Sequence, residues 1–262
     1  MTSCSFLLIG VTFLSSILNT SAAFAVPSSS KLKPWTANTA PTSHDKHHSS
    51  KSQLYLANPN QPAYCEKCGT KTIIRQPPND ERERACCPDP SCGFVSYQNP
   101  KIVVGAICTT RDNQKVLLCK RAIEPCAGKW GYPQGFLELN ETTRQGAARE
   151  TLEEAGASFD PAKAKLMAVY NLAGYQVQTI YFVELEDEVV DAGMESSEVG
   201  FYKWKDVPWE DLAFPTVEWA LLHAKDHVIP LISNDDADDS NIIVQERTKY
   251  VDEDGQWQVK EG

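Results

Sequence analysis

The sequence predicts an α/β fold, a sheet with helices on both faces, preceded by a small metal-stapled ribbon. Three observations predict it. Five apolar or alternating runs between Lys101 and Lys205 read as strands. A capped, carboxylate-rich helix ending at Gly156 interrupts them and an amphipathic helix from Thr216 follows them. Ahead of them, two pairs of cysteines crowd into about thirty-five residues, too few to bury a core of their own.

Residues 1–60 read as an address. Phe6 to Leu18 is apolar but softened by Thr12, Ser15 and Ser16, and falls short of the roughly 20 apolar residues a bilayer requires. Ser21-Ala22-Ala23 sets small residues before a cleavage after Ala23. From Phe24 to Asn60 the chain is rich in Ser, Thr, Ala, Pro and Lys, with Asp45 its one acid. Such a composition buries no core and suits a transit segment. Signal then transit segment, with Phe24 at the junction, resembles the bipartite plastid presequence of algae with secondary plastids. A secreted protein with a linker is the alternative. No membrane segment is expected once this presequence is removed.

Residues 61–99 form the expected ribbon. Cys65-Glu66-Lys67-Cys68-Gly69 is a C-x-x-C knuckle, and Cys87 with Cys92 supplies the second pair. Four residues separate Cys87 from Cys92, at the upper end of zinc-ligand spacing, and the alternative Cys86 would make it five. Four thiolates suit tetrahedral Zn²⁺ and leave no open position, so this zinc is structural. Two disulfides are the competing reading and require an oxidising compartment. Cys108, Cys119 and Cys126 lie in or beside apolar strands and read as small core residues.

Residues 100–230 carry the main domain. Lys101–Thr109 and Val116–Arg121 read as strands joined by a turn at Arg111-Asp112-Asn113. Thr142 with Gln145 makes a capping box that starts a helix, and Gly156 offers its stop. At 100° per residue, Ala148, Thr151, Leu152 and Ala155 share one narrow face, with Glu150, Glu153 and Glu154 gathered opposite. Three carboxylates so close repel each other unless solvated or neutralised by cations. Lys165–Leu172, Val177–Leu185 and Gly200–Lys205 continue the sheet. Thr216–His227 closes it as a helix burying Val217, Ala220, Leu221 and Ala224, with His223 and His227 read as polar surface. In the acidic tail, residues 231–262, Asp235–Asp239 is a solvated linker, and Ile242–Val251 and Gln256–Val259 flank a hairpin turn at Asp254-Gly255. Edge hairpin, arm of a homodimer and disorder are all open for that tail.

From Gly135 to Ala157 the chain reads Gly-x5-Glu-x7-Arg-Glu-x-x-Glu-Glu-x-Gly, in residues Gly135, Glu141, Arg149, Glu150, Glu153, Glu154 and Gly156. Average usage makes a chance match on the order of 10⁻⁹ per start site. This is the Nudix box, and over about residues 60–230 the chain resembles Nudix hydrolases. The resemblance implies an α/β/α sandwich and water attack on the diphosphate of a nucleoside diphosphate linked to a group X. It implies Mg²⁺ or Mn²⁺ on Glu150 and Glu154, assisted by Glu153 and the Gly135 carbonyl, with Arg149 orienting the carboxylates through Glu141. Glu198 stands at the place of a downstream family glutamate as general base, with Glu195 the alternative. Gln134 stands where relatives often have glycine.

After residue 60 the chain carries 21 basic against 34 acidic residues, net −13. A body that acidic is a poor binder of nucleic acid, and a small anionic nucleotide needs a metal cation to meet it. The ribbon running through Tyr97-Gln98-Asn99-Pro100-Lys101 into the sheet resembles plant plastid FAD pyrophosphatases, whereas the Ser-Gln-Pro-Trp-Pro-Phe-Pro stretch of NADH pyrophosphatases has no match. Trp130, Tyr132 and Phe136 before the box, with Tyr170 and Tyr175, offer rings for an isoalloxazine. The expected reaction is FAD to FMN and AMP, with ADP-ribose the alternative substrate. A ligand-sensing adaptor without turnover is the competing class, opposed by the intact Glu150, Glu153 and Glu154.

Overall fold

The structure, a computed structural model, describes residues 61–172, 174–232, 242, 244–252 and 254–262. The presequence read at residues 1–60 and the acidic run Asp235–Asp239 lie outside the described residues. The described chain forms two compact units that divide between Tyr97 and Gln98.

In the first unit β1 (Ile73–Arg75), β2 (Arg84–Cys86) and β3 (Val95–Ser96) make an antiparallel sheet in that order. The knuckle folds back on itself. The Gly69 N–H donates to the Cys65 carbonyl at 2.8 Å, and the Cys65 N–H donates to the Thr70 carbonyl at 2.8 Å.

The second unit is built on one mixed sheet. Its strands are β4 (Lys101–Thr109), β5 (Lys115–Arg121), β6 (Trp130–Gly131), β7 (Gln134–Phe136), β8 (Lys165–Leu172), β9 (Gln176–Glu184), β10 (Ser196–Lys203), β11 (Gln245–Val251) and β12 (Trp257–Glu261). They run in the order β10-β5-β4-β9-β8-β11-β12, with β6 beside β5 and β7 beside β4. Central β4 and β9 pair in parallel from Lys101 opposite Gln176 to Thr109 opposite Glu184. Alternation along these strands feeds two cores. Val104, Ala106, Cys108, Leu117, Cys119, Tyr181 and Val183 face Ala147 and Ala155 of helix α1 (Thr143–Ala155). Ile107, Val116, Leu118, Ile180 and Phe182 face Val217, Ala220 and Leu221 of helix α2 (Pro215–His223). That is the α/β/α sandwich, and Cys108, Cys119 and Cys126 are buried as expected.

Helix α1 begins and ends where its caps require. Thr142 Oγ1 accepts the Gln145 N–H at 3.3 Å, Gln145 Oε1 accepts the Thr142 N–H at 2.8 Å, and Gly156 closes the helix at φ 65. Thr142→Ala should cost about 1 kcal/mol, read as a melting temperature lower by roughly 2–4 °C.

The expected faces of α1 need correction. Thr151 and Ala155 are buried, but Ala147 joins them in place of the half-buried Ala148, Leu152 is 54% exposed, and Glu150 and Glu154 share the buried side rather than opposing it. Small residues let the helix lie close on β4, so the longer glutamates turn inward beside it rather than out to water. Thr151 donates to the Ala147 carbonyl at 2.8 Å, which satisfies its hydroxyl inside the core.

Two other elements have shifted bounds. The strand expected at Gly200–Lys205 is Ser196–Lys203, because β5 offers partners only from Arg121 to Lys115, and Trp204–Asp206 turns as a 3₁₀ helix. The closing helix runs past His227 through a π turn at Ala224–Val228 to α3 (Ile229–Ile232). Pro230 lacks an N–H and its ring crowds the preceding turn, so the widened π turn lets the helical path continue. On that path His223 is buried rather than polar surface, its ring 5.3 Å from the exposed His227. The tail is an edge hairpin, with β11 adding parallel to β8 and antiparallel to β12. Tyr170 Oη donates to Gln245 Oε1 at 2.8 Å, and the Arg247 guanidinium lies 5.2 Å over Trp219.

Candidate active site

The chain leaves β6, turns through Tyr132 and Pro133, and enters β7 against β4, with Gly135 opposite Val104. Helix α1 crosses the same strand, so the turn and the helix meet over β4. Contact there is close enough that a Cβ on Gly135 would fall on the Glu150 carboxylate. A side chain at 135 would have to push aside the Glu150 carboxylate and the Arg149 hydrogen bond that holds it.

Arg149 organises the acids. Its Nε and Nη2 donate to the two Glu141 oxygens at 3.0 and 2.8 Å, the fork expected from the sequence. Nη1 donates to Glu150 Oε1 at 2.8 Å and Glu153 Oε2 at 2.9 Å, and Nη2 also reaches the Phe136 carbonyl at 3.0 Å. The Arg149 hydrogen bonds hold the Glu141 carboxyl below its ordinary range. They do not offset burial at Glu150, which is raised chiefly by loss of water, with Glu153 and Glu195 adding repulsion.

Glu154 is the more exposed to this conflict. Only 8% of either Glu150 or Glu154 is accessible, and burial pushes Glu154 up to about 8. The Gln134 N–H, donating to Glu154 Oε2 at 3.2 Å, and the Arg121 charge pull the other way without prevailing, while Glu150 and Glu195 push further up. Two buried carboxylates, one sharing the Arg149 guanidinium with two other acids and the other without a hydrogen bond to it, are an oxygen-ligand set suited to divalent cations. Glu153 stands at the solvent edge of the same group.

A narrow cleft beside Glu154 is lined by Cys119, Arg121, Gln134, Glu195, Ser196 and Phe214, among others. It includes Glu195 and not Glu198. A β-bulge sets Ser196 opposite Arg121 and Glu198 opposite Lys120. Glu198 is then occupied on the strand, accepting the Tyr202 hydroxyl at 3.1 Å with Lys120 Nζ at 3.5 Å.

The aromatic expectations divide. Tyr132 is 1% exposed and Tyr170 is buried, so both are core; Trp130 is also buried, edge-on to Tyr202 at 5.0 Å. Burial of Tyr132 follows from its place between β6 and β7 under α2. Phe136 is 50% exposed with Lys101 Nζ 5.1 Å over its ring, and half-buried Tyr175 accepts the Lys101 N–H at 2.9 Å through its carbonyl. Sequence reasoning missed Arg121 and Phe214, whose guanidinium and ring lie 5.5 Å apart across the cleft. A cation ending the strand before the box was the available signal for Arg121; Phe214 comes from far along the chain and had none.

In the ribbon, the sulfurs of Cys65, Cys68, Cys87 and Cys92 all lie within 4.8 Å of one another. Cys86 Sγ instead faces the Arg75 and Arg84 carbonyls at 3.7 and 3.5 Å. A hydrogen bond with Thr70 lowers Cys68 to about 6, and burial raises Cys87 to about 12. Four converging thiols with no bond between them fit zinc.

The NUDIX domain family model matches residues 99–232, and the Nudix N-terminal zinc-ribbon model matches residues 63–98. The chain belongs to the Nudix family. Among solved structures it is similar to a NUDIX hydrolase from Nitrosomonas europaea, at 42% identity and a TM-score of 0.57, covering 64% of this chain and 93% of that one. Among curated Nudix relatives, an ADP-ribose pyrophosphatase of Methanocaldococcus jannaschii is 29% identical over 43% of this chain and 67% of its own length. An NAD-capped RNA hydrolase, NudC, of Haemophilus influenzae is 36% identical over 37% of this chain, which spans only 34% of that relative. Nudix enzymes use divalent metals, as the carboxylate set here would accept.

Proposed function

We propose that this Nudix chain hydrolyses the diphosphate of a small nucleoside diphosphate-X compound with Mg²⁺ or Mn²⁺, and that ADP-ribose is the best-supported substrate. The observation that carries the proposal is the pair of buried carboxylates, Glu150 and Glu154, the second of which lines a cleft that also holds Arg121 and Glu195.

Glu150 and Glu154 would hold the metal, with Glu153 assisting from the solvent edge and the Gly135 carbonyl beside Glu150. A bound divalent ion supplies polarisation of the diphosphate and a more acidic water. The chain's own residues do the remainder. Arg149, locked by Glu141, keeps Glu150 and Glu153 in place. Arg121 brings positive charge to an acidic body at the point where a phosphate would enter. Glu195 replaces Glu198 as the proposed general base, because it lines the cleft and Glu198 is taken up by Lys120 and Tyr202.

Three of the five rings expected to stack on a flavin, Trp130, Tyr132 and Tyr170, are buried, which removes most of the aromatic support for FAD. The name of the M. jannaschii relative favours ADP-ribose, and the net −13 of the body disfavours nucleic acid. FAD stands second because Phe136 keeps an exposed ring. With Mg²⁺ or Mn²⁺, the chain should release AMP from ADP-ribose at a kcat/KM about tenfold or more above that for FAD. The opposite ratio would restore the flavin assignment, and no cleavage of any nucleotide in a panel that includes NADH would leave a ligand-sensing adaptor. The small residues before Ala23 and the acid-poor stretch after it support plastid import of this enzyme.

A further inference from the structure

The segment after β9 returns across the C-terminal end of α1 before β10 begins, and it is fastened there at close range. The last carbonyls of a helix have no partner within it. Here the Asp191 N–H donates to the Ala155 carbonyl at 2.8 Å and the Gly193 N–H to the Glu154 carbonyl at 3.2 Å. Two glycines make the approach. A Cβ on Gly156 would meet Asp191 at 2.8 to 2.9 Å, and a Cβ on Gly193 would fall on the Glu153 carbonyl oxygen. Both obstacles are backbone, which cannot swing aside as a long side chain can.

Two residues further on stands Glu195. Its own carbonyl accepts the Ala122 N–H at 2.8 Å, and the Ser196 N–H donates to the Gly193 carbonyl at 3.1 Å. The segment is thus fixed on one side to the helix that carries Glu150, Glu153 and Glu154 and on the other to the end of β5. Between the two fastenings only Met194 and Glu195 span the gap, and Met194 faces solvent.

We propose that Gly193 is a positioning residue: by letting residues 191–193 lie directly on the C-terminal carbonyls of α1, it sets Glu195 at a fixed distance from the metal-holding carboxylates. The base-bearing segment and the metal-holding helix then move as one body, and the gap for a water between Glu195 and Glu154 is set by backbone contact. This rests on the proposed role of Glu195 as general base. Any side chain at 193 lifts the strap, carries Glu195 away from the cleft and leaves the carboxylates of α1 in place.

The test is a double-mutant cycle in the full chain, with ADP-ribose as substrate and Mn²⁺ as metal. Glu195→Gln should lower kcat by about 10²-fold or more. Gly193→Ala should lower kcat about tenfold or more, with KM and Mn²⁺ affinity within about twofold of the parent chain. Gly193→Ala with Glu195→Gln should be no more than about twofold slower than Glu195→Gln alone, because a displaced base has nothing left to lose. Full additivity, or a normal kcat in Gly193→Ala, overturns the positioning role. Weakened Mn²⁺ binding in Gly193→Ala also overturns it, since the damage would then lie in the metal helix. A normal rate in Glu195→Gln overturns the base assignment itself, a separate failure. Should Gly193→Ala not accumulate as folded protein, Asp191→Pro lifts the strap from its other end, because it removes the hydrogen bond to the Ala155 carbonyl and sets its ring against that oxygen, and the same kcat loss and non-additivity are expected.

Discussion

Glu154→Gln should yield a folded chain whose turnover falls by about 10²–10³-fold or more, the usual cost of losing one principal electrostatic contact at a reacting centre. Glu150→Gln should behave alike, and Glu153→Gln more mildly because Glu153 is solvent-facing. Near-normal turnover in both of the first two would sink the metal assignment. The same substitution has a second signature in the metal-free protein. Burial raises Glu154 to about 8, against the ordinary carboxyl value of 4.5 that serves for the unfolded chain. Between those limits the folded state keeps a proton that the unfolded state has released, so the metal-free chain loses stability as pH rises toward 8. Glu154→Gln should flatten that decline. A divalent cation has to displace the proton, so the melting-temperature gain from Mn²⁺ should grow from pH 6 to pH 8 in the parent chain. A gain that shrinks over this range would contradict the assignment.

Removing metal from the ribbon should be more damaging to structure than any single substitution in the second unit. Structural zinc contributes on the order of 10 kcal/mol or more to folding of such small motifs, and the ribbon sheet has only short strands to replace it. Elemental analysis should find about one zinc per chain, and a chelator strong enough to take it should melt the ribbon. Cys87→Ser should lose the metal, while Cys86→Ser should keep it, because the Cys86 sulfur lies among backbone carbonyls outside the cluster. Metal-free protein carrying two disulfides by mass spectrometry would defeat the zinc reading.

What the sequence made legible was local. The capping box at Thr142 and Gln145, the stop at Gly156, the Arg149–Glu141 fork and the choice of Cys87 over Cys86 each depend on spacing along a few residues, and the structure shows all of them. Burial was less legible, because helix periodicity assumes that charge faces water. Glu150 and Glu154 break the assumption, since their side of α1 is held against the Gly135 turn. The same limit explains Tyr132, which is buried among residues of α2 and the sheet rather than by its neighbours in sequence. Glu195 and Glu198 could not be separated by pattern, because one extra residue in a strand decides which of them reaches the cleft.

The family model stops at residue 232, yet β11 occupies the open side of β8, with Gln245 on the Tyr170 hydroxyl and Arg247 over Trp219. A chain cut at that boundary would keep every box residue and still present β8 as a bare edge, its N–H and C=O groups unpaired and Tyr170 newly wet. Exposed edges of that kind recruit other strands, so the trimmed enzyme would be prone to self-association and loss from solution while its chemistry stayed intact. The end of the family match and the end of the sheet are therefore different places in this chain, and the hairpin marks the second.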